Sequence, residues 1–256
     1  MMHLPSAIEE IVQARPYTQD TTGRSGADIL LYSDMVLKIQ PESTGSRREL
    51  SAMGWLSGKL PVPEILHTET VEGVSYLLMS RLPGIMTCDA SMLCRPKETV
   101  DCLARGLKLL WQVDTTGYPA PNILDDKLRE AAYRVANGLC DMQNAEPDTY
   151  DPDGFSSPAA LLTWLTENRP QETPVFSHGD YCLPNIFVKD LKISGFLDLG
   201  RSGISDPYQD IALCYRSLLY NFREHPDFHP ELLFEALELE PDWKKIRYYI
   251  LLDELF

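Results

Sequence analysis

The sequence predicts an α+β protein with two lobes, a small lobe built on an antiparallel sheet and a larger, mainly helical lobe. In residues 1–82, short apolar runs alternate with turn residues, which is typical of strands joined by hairpins. From residue 83 to 256, apolar residues recur at helical spacing in several segments. A Pro-Gly pair lies between the two regions, so we expect a hinge at about residues 80–84, although a strand that ends in a plain turn would show the same pair.

The composition is that of an ordinary globular protein. Of its 256 residues 44% are hydrophobic and 24% are charged, and no apolar run reaches the length of about 18 residues that would predict a membrane span. The N-terminus lacks the basic and apolar segments of a secretory signal. Six cysteines are scattered without a Cys-x-x-Cys pair, which is typical of reduced thiols. We therefore expect a cytoplasmic protein with no membrane partner.

The net charge of −15 indicates what kind of partner the protein favours. A negative field repels nucleic acid and attracts cations, although an acidic surface also serves solubility alone. The imbalance is greatest between Arg134 and Arg169, where no Lys or Arg occurs. The acidic residues in this stretch are Asp141, Glu146, Asp148, Asp151, Asp153 and Glu167. We expect a surface that could receive a polycation, and no nucleic-acid partner.

The first lobe is predicted to contain a hairpin, formed by the apolar runs 29–32 and 35–39 after the turn-prone loop 23–27. Lys38 lies on the second strand of this hairpin. Glu49 lies in a segment with apolar residues at helical spacing, which predicts a helix over 46–57. We predict an ion pair between Lys38 and Glu49 rather than two solvated charges, because such a pair could hold the lysine against nucleotide phosphates. Farther along, prolines within 60–66 end the helix, and 74–79 is predicted to be a buried strand.

The second lobe is predicted to be mainly helical. Pro158 suits the first turn of one of its helices. Asp210, near the start of another, is either a favourable N-terminal charge or a brace for the loop near residue 180. The predicted helices are 99–111, 126–139, 157–167, 210–222, 232–237 and 243–255.

A short run of polar residues carries the chemistry. His178-Gly-Asp180 is followed by Asn185, five residues after Asp180, and by Asp198-Leu-Gly thirteen residues later. Protein kinases share this spacing: the first Asp accepts the proton of the attacking hydroxyl, and the Asn and the second Asp bind Mg²⁺. Asp180 thus fits a catalytic base, and Asn185 and Asp198 fit oxygen ligands of Mg²⁺. Cys182 lies within the run, but this chemistry needs no thiol nucleophile.

The sequence around this run favours a functional origin over a structural one. A His-Gly-Asp triplet alone is common turn chemistry. Here, however, the apolar runs 185–188 and 193–197 form a hairpin pattern, and strand pairing would bring Asn185 next to Asp198. We therefore interpret the run as the signature of a phosphotransferase.

Four segments carry a more specific resemblance: Phe176–Val188, Gly195–Arg201, Trp55–Glu64 and the terminal Tyr249–Phe256. Together they resemble the aminoglycoside 3′-phosphotransferases. The resemblance runs from residue 20 to the end and is looser over 85–160. It implies a protein-kinase-like fold, with a five-stranded nucleotide lobe, a hinge and a mainly helical lobe. It also implies transfer of the γ-phosphate of ATP or GTP, with Mg²⁺, to the 3′-hydroxyl of kanamycin- or neomycin-type antibiotics. That transfer would confer resistance, because the added negative charge opposes binding to RNA phosphates.

The resemblance also implies roles for individual residues. Asp180 matches the catalytic base, and Asn185 and Asp198 match the metal ligands. The nucleotide-binding candidates are Ser25, Lys38, Glu49 and Met79, with backbone groups of Arg81 and Leu82 at the hinge. Candidates to receive the ammonium groups of the substrate are Asp148, Asp151 and Asp153 of the acidic stretch, and Asp253, Glu254 and the α-carboxylate of Phe256. A frayed, solvated C-terminus is the plainer alternative for the last three.

Two departures from the family leave specificity open. Val36 stands where the family often stacks an aromatic ring on the purine, so the choice between ATP and GTP is open. Pro147 and Tyr150 fall where carboxylates are common, so the range of antibiotics is open as well.

Two other functions compete with this one. A choline-kinase-like or methylthioribose-kinase-like enzyme would share the phosphotransfer run, but the Leu-Asp-Glu-Leu-Phe ending argues against it. A binding protein without catalysis could use the acidic cleft. It would have no need to keep the complete set of Lys38, Glu49, Asp180, Asn185 and Asp198.

Overall fold

The computed structural model describes residues 4–20, 26–150, 152–225 and 227–256. Two of the predicted site residues, Ser25 and Asp151, lie outside them. The helices are α1 (Ser6–Val12), α2 (Thr44–Leu56), α3 (Ala90–Leu93), α4 (Pro96–Trp111), α5 (Leu124–Ala136), α6 (Pro158–Glu167), α7 (Pro207–Asn221), α8 (Leu232–Leu237) and α9 (Trp243–Asp253). The strands are β1 (Thr18–Asp20), β2 (Asp28–Leu31), β3 (Met35–Pro41), β4 (Ile65–Val71), β5 (Val74–Ser80), β6 (Ile85–Met86), β7 (Val175–Ser177), β8 (Ile186–Lys189), β9 (Lys192–Phe196) and β10 (Gly203–Ser205).

The first part of the chain forms a five-stranded antiparallel sheet in the order β1-β2-β3-β5-β4. The predicted hairpin of β2 and β3 is present, and its turn is closed by a hydrogen bond from the N–H of Tyr32 to the carbonyl of Met35. The edge strand β4 was not predicted from the residues. Its side chains are mostly polar and partly exposed, so it lacks the apolar run that marks a buried strand.

Helices cover both faces of this sheet. On one face, Ile8 and Val12 of α1 pack against side chains that include Leu37 and Leu78. Because successive side chains of a strand point to opposite faces, Lys38 is turned towards the other face, where α2 lies. The predicted helix α2 begins at Thr44, where Ser43 caps it by accepting a hydrogen bond from the N–H of Ser46.

Residues 82–84, which follow β5, pack closely against the hairpin β8–β9. Gly84 has φ = +96°, and a Cβ there would lie 2.1 Å from the carbonyl oxygen of Val188 on β8. Leu82 packs so tightly onto Gly195 of β9 that a Cβ at Gly195 would lie 2.3 Å from it. At Gly84 the neighbour is backbone and φ is positive, so only glycine permits this approach of the segment to β8.

The six helices predicted for the second lobe are present as α4 to α9. α6 begins as expected, with Pro158 in its first turn and Ser157 as its cap. α5 is shorter than predicted, because Gly138 adopts φ = +65° just after its end. None of the helices in the described ranges is long and apolar enough to cross a membrane.

Candidate functional site

A buried carboxylate fixes the loop that carries Asp180. Asp210 of α7 accepts hydrogen bonds from the Ser177 hydroxyl (3.0 Å) and from the N–H groups of His178 (2.8 Å) and Gly179 (2.9 Å). Complete burial raises the pKa of Asp210, although these donors and the His178 ring oppose the shift. Asp210 therefore braces the loop rather than serving only as a helix N-terminal charge.

The carboxylate of Asp180 is held on both oxygens. Oδ2 accepts from the side-chain amide of Asn185 (3.0 Å), and Oδ1 accepts from the thiol of Cys182 (3.1 Å). The next residue, Tyr181, is fully buried, and its hydroxyl donates to the carbonyl of Leu103 on α4 (2.8 Å). Tyr181 thus anchors the loop to α4, while Asp180 remains partly exposed, as a proton acceptor must be.

Asn185 and Asp198 lie side by side, as the hairpin pattern predicts. β8 begins just after Asn185 and β9 ends two residues before Asp198, and the N–H of Leu197 donates to the carbonyl of Asn185 (2.9 Å). Asp198 has φ = +59° and ψ = +55°, a left-handed conformation that is uncommon for a residue with a side chain. Uncommon backbone conformations of this kind concentrate at functional sites.

These residues fit a magnesium ion. Both amide hydrogens of Asn185 are directed at Asp180, which leaves its carbonyl oxygen as the group presented to a cation. Asp198 supplies a carboxylate. No cluster of three or more His, Cys, Asp or Glu in the described residues could hold a metal by itself. Mg²⁺ suits such a sparse site, because it keeps part of its water shell and binds substrate phosphates.

The predicted ion pair between Lys38 and Glu49 is present and includes Asp198. The ammonium of Lys38 lies 3.0 and 2.9 Å from the two oxygens of Glu49 and 3.0 Å from Oδ1 of Asp198. Burial alone would lower the pKa of Lys38, but the two carboxylates outweigh it and raise that pKa. Burial likewise opposes ionisation of Asp198, yet Lys38 holds the pKa of this carboxyl below its usual range. Burial raises the pKa of Glu49, although Lys38 opposes that shift.

A cleft of 490 Å³ lies between the sheet and the hairpin β8–β9. At one end, the cleft is lined by Lys38, Glu49, Asn185 and Asp198. The remainder is largely apolar, as a flat purine requires. The apolar side chains along it include Ile29, Leu31, Val36, Met79, Phe187 and Leu197.

At the hinge, the N–H of Arg81 already has a partner within the protein. The N–H of Arg81 donates to the carbonyl of Asp34 (3.0 Å), and its guanidinium donates to the carbonyl of Tyr32 (3.0 Å). Within the described residues, the N–H of Leu82 has no such partner. Leu82 thus keeps a donor at the cleft, whereas the N–H of Arg81 is occupied.

The C-terminus is docked rather than frayed. Arg134 of α5 donates to the carbonyls of Leu255 (2.8 Å) and Phe256 (2.9 Å), and Leu255 is fully buried. The guanidinium of Arg201 lies 4.9 Å from the centre of the Phe256 ring. The last residues therefore pack next to the loop that follows Asp198.

The two predicted carboxylates before the terminus have different surroundings. Asp253 pairs with both Arg201 and Arg216, which outweigh the effect of its burial and lower its pKa. Glu254 lies 3.5 Å from Arg216 and accepts from the N–H of Glu146 (3.3 Å), and burial raises its pKa to about 7. The charge of Asp253 is thus balanced by two arginines. Glu254 and Glu146 share a single arginine, Arg216, with each other and with Asp253.

The other predicted carboxylates lie in the loop before α6. Asp148 pairs with Arg247 of α9 at 2.9 Å, and Asp153 is exposed. Neither contacts the cluster of Asp253 and Glu254 within the described residues. Asp148 and Asp153 could therefore contact only a cationic molecule long enough to reach beyond Asp253 and Glu254.

The family model described as the phosphotransferase enzyme family matches residues 17–249 of this chain. The chain belongs to this family. An aminoglycoside 3′-phosphotransferase of Enterococcus faecalis is 38% identical, over 100% of this phosphotransferase and 99% of its own length. One of Staphylococcus aureus is 37% identical over the same shares.

Solved structures confirm the kinase-like fold of this phosphotransferase. An aminoglycoside phosphotransferase of Streptomyces rimosus superposes with a TM-score of 0.83 at 23% identity, covering 97% of this chain and 95% of its own. An aminoglycoside-3′-phosphotransferase of type VIII superposes with a TM-score of 0.80 at 25% identity, covering 98% of both chains. The antiparallel sheet followed by a mainly helical part, predicted from the sequence, is therefore confirmed.

Three charged residues of the phosphotransferase site were not predicted as site residues. Arg201 directly follows the Asp-Leu-Gly triplet, and Glu146 lies in the stretch without cations, so each had a weak signal. Arg216 had none, because its position in the middle of α7 does not reveal that it faces the C-terminus.

Proposed function

We propose that this phosphotransferase moves the γ-phosphate of ATP or GTP to the 3′-hydroxyl of kanamycin- and neomycin-type aminoglycosides, and so confers resistance to them. The observation that carries the proposal is the arrangement of Lys38, Asn185 and Asp198 at one end of an apolar cleft of 490 Å³, with Asp180 hydrogen-bonded to Asn185. The relatives that are 37–38% identical over the whole chain are aminoglycoside 3′-phosphotransferases, which supports the choice of substrate.

In the proposed reaction, Asp180 accepts the proton of the substrate hydroxyl. The oxygen then forms a bond to the γ-phosphorus, and the bond from this phosphorus to the β–γ bridging oxygen breaks, which releases the nucleoside diphosphate. Asn185 and Asp198 would hold Mg²⁺, which would neutralise the phosphate charge. Lys38 binds the α- and β-phosphates, and Glu49 keeps it in place.

The nucleotide is proposed to lie along the cleft, in the lobe of residues 1–82. Its purine would fill the apolar end between Val36, Met79 and Phe187 and accept or donate hydrogen bonds at Leu82. Ser25 would contact the phosphates, as the resemblance implies. Because nucleoside triphosphates are supplied in the cytoplasm, we place the reaction there.

The antibiotic is proposed to bind in the lobe of residues 83–256, beside the docked C-terminus. Glu254 and the α-carboxylate of Phe256 would receive ammonium groups, because both are held in fixed positions. Asp253 would act by orienting Arg201 and Arg216 behind them. Asp148, Asp151 and Asp153 would contact the more distant rings of larger aminoglycosides.

A coupled assay for nucleoside diphosphate release in the presence of Mg²⁺ tests the proposal. Kanamycin is compared with tobramycin, which lacks the 3′-hydroxyl, with ATP and with GTP. We expect release with kanamycin, none with tobramycin, and none from Asp180→Asn. Equal release with both antibiotics would refute the 3′ position. Release with neither would refute the substrate class and leave another small hydroxylated metabolite as the acceptor.

A further inference from the structure

The thiol of Cys182 lies against the carboxylate of Asp180. Its sulfur is 3.1 Å from Oδ1, and the amide of Asn185 is 3.0 Å from Oδ2. A different donor therefore meets each oxygen of the proposed catalytic base. With one contact on each oxygen, the carboxylate is restrained against rotation about its last side-chain torsion, which is otherwise soft.

The chemistry of the site keeps Cys182 in its thiol form. Its sulfur lies 3.1 Å from a carboxylate oxygen, which has no hydrogen to donate, so the hydrogen between the two atoms belongs to the thiol. A protonated thiol is a hydrogen-bond donor and a poor nucleophile. The contact is thus a hydrogen bond to an ionised acceptor, which is stronger than one between neutral groups.

Hydrogen bonds fix the backbone on both sides of Cys182. The N–H of Cys182 donates to the carbonyl of Asp180 (2.9 Å), and its own carbonyl accepts from the N–H of Asn185 (3.0 Å). The next N–H, that of Leu183, donates to the hydroxyl of Ser217 on α7 (3.0 Å). The Cα and Cβ atoms of Cys182 therefore keep their place relative to Asp180, and the sulfur is presented to its carboxylate from a fixed point of the loop.

We propose that Cys182 is a positioning residue, whose thiol holds the Asp180 carboxylate in the orientation that accepts the proton of the substrate hydroxyl. This role rests on the proposed function, in which Asp180 is the base. It assigns no covalent step to the thiol. Cys182 acts on the transition state through Asp180, so it contributes to kcat rather than to the binding of either substrate.

Two substitutions separate this role from simple packing. Cys182→Ala removes the donor, and we expect kcat to fall about fivefold, the effect of one lost hydrogen bond, with both KM values unchanged. Cys182→Ser keeps a donor at this position, so we expect it to restore most of that loss. The matched control is Cys102→Ala, which removes a buried thiol that contacts Arg105 and the carbonyl of Leu191 instead. It should leave kcat unchanged.

The infrared S–H stretching band provides a readout that needs no substrate. Subtracting the spectrum of Cys182→Ser from that of the unsubstituted protein isolates the band of Cys182. We expect this band at the low frequency of a hydrogen-bonded thiol, and we expect it to rise in frequency in Asp180→Ala, where the acceptor is gone.

The outcomes separate this inference from the proposed function. Equal kcat values for Cys182→Ala and Cys182→Ser, or an S–H band that does not move in Asp180→Ala, would overturn the positioning role. If the unsubstituted protein turns over no aminoglycoside, the proposed function fails. The infrared comparison would still decide whether the hydrogen bond on which the positioning role depends exists.

Discussion

The ammonium group of Lys38 lies 3.0 Å from Oδ1 of Asp198, although 160 positions separate the two residues along the chain. This contact joins the five-stranded sheet to the hairpin that carries the proposed metal ligands. With Glu49 on the other side of Lys38, three charged groups hold the two parts of the molecule in register. These charged groups therefore hold one end of the cleft together.

Substitution of Lys38 should affect both nucleotide binding and stability. Lys38→Met removes the phosphate contact and leaves Glu49, whose side chain is 5% exposed, as a buried charge without its partner. We expect the nucleotide KM to rise at least about tenfold and the free energy of unfolding in urea to fall by about 3 to 5 kcal/mol. The double variant Lys38→Met, Glu49→Leu should recover stability but not nucleotide binding. A double variant as unstable as the single one would contradict the pairing.

Loss of the carboxylate at Asp180 should affect turnover alone. Asp180→Asn keeps the size of the side chain but cannot accept the proton, so we expect kcat to fall about 10²- to 10⁴-fold. Nucleotide affinity, measured by equilibrium titration, should stay within about twofold, because Asp180 holds neither the purine nor Lys38. Turnover near that of the unsubstituted protein would remove Asp180 as an essential base.

The ionisation of Glu254 should be visible in antibiotic binding. Burial raises its pKa to about 7, so the carboxyl is mainly neutral below that pH and mainly negative above it. As the pH is raised from about 6 to about 8, the carboxyl of Glu254 becomes negatively charged. This charge should lower the KM for kanamycin by roughly fivefold. Kanamycin loses protons over the same range, so Glu254→Gln is the reference. If the ratio of the two KM values is independent of pH, Glu254 does not receive an ammonium group.

Removal of Leu255 and Phe256 should separate the two substrates. The terminal residues lie beside Arg134 and Arg201, away from the apolar end of the nucleotide cleft. We therefore expect the truncated protein to show a kanamycin KM raised by about tenfold or more, with the nucleotide KM little changed. Arg134→Gln, which releases the same two carbonyls, should act in the same direction but less. Equal effects on both substrates would mean that the terminus serves only the fold.

A buried lysine should make stability depend on pH. Lys127 of α5 is completely buried beside Gln209, and burial lowers its pKa to about 8 although Asp210 opposes the shift. The pKa of this lysine is near 10.4 in an unfolded chain. Between pH of about 8 and about 10.4 the unfolded state therefore binds more protons than the folded state, so the free energy of unfolding rises with pH. Below pH of about 8, the cost of charging the buried group is fully present.

Lys127→Met tests this relation. Near pH 7 the variant should be more stable than the unsubstituted protein by up to roughly 3 kcal/mol, and the difference should shrink towards pH of about 10. Urea unfolding at several pH values measures it. Lys97→Met, at an exposed position, should give a difference that does not change in this way. A Lys127→Met variant that is less stable at neutral pH would show that the charge contributes more than its burial costs.

Much of the site could be predicted because its central part is local in sequence. The segment 178–198 contains the proposed base, both proposed metal ligands and the hairpin β8–β9 that brings the ligands together, so spacing and periodicity were enough. The same holds for β2, β3 and α2, whose apolar patterns agree with their burial. The ion pair of Lys38 and Glu49 was predicted because phosphotransfer needs a lysine that a carboxylate holds against the nucleotide phosphates.

The tertiary structure alone decided the contacts that depend on packing between distant segments. No local pattern shows that Asp210 accepts three hydrogen bonds from the loop before Asp180, or that Arg216 faces Asp253. A charged residue in a helix has the same local signal whether it is solvated or buried, as Lys127 illustrates. Its role is determined by what packs against it, and that is a property of the assembled chain.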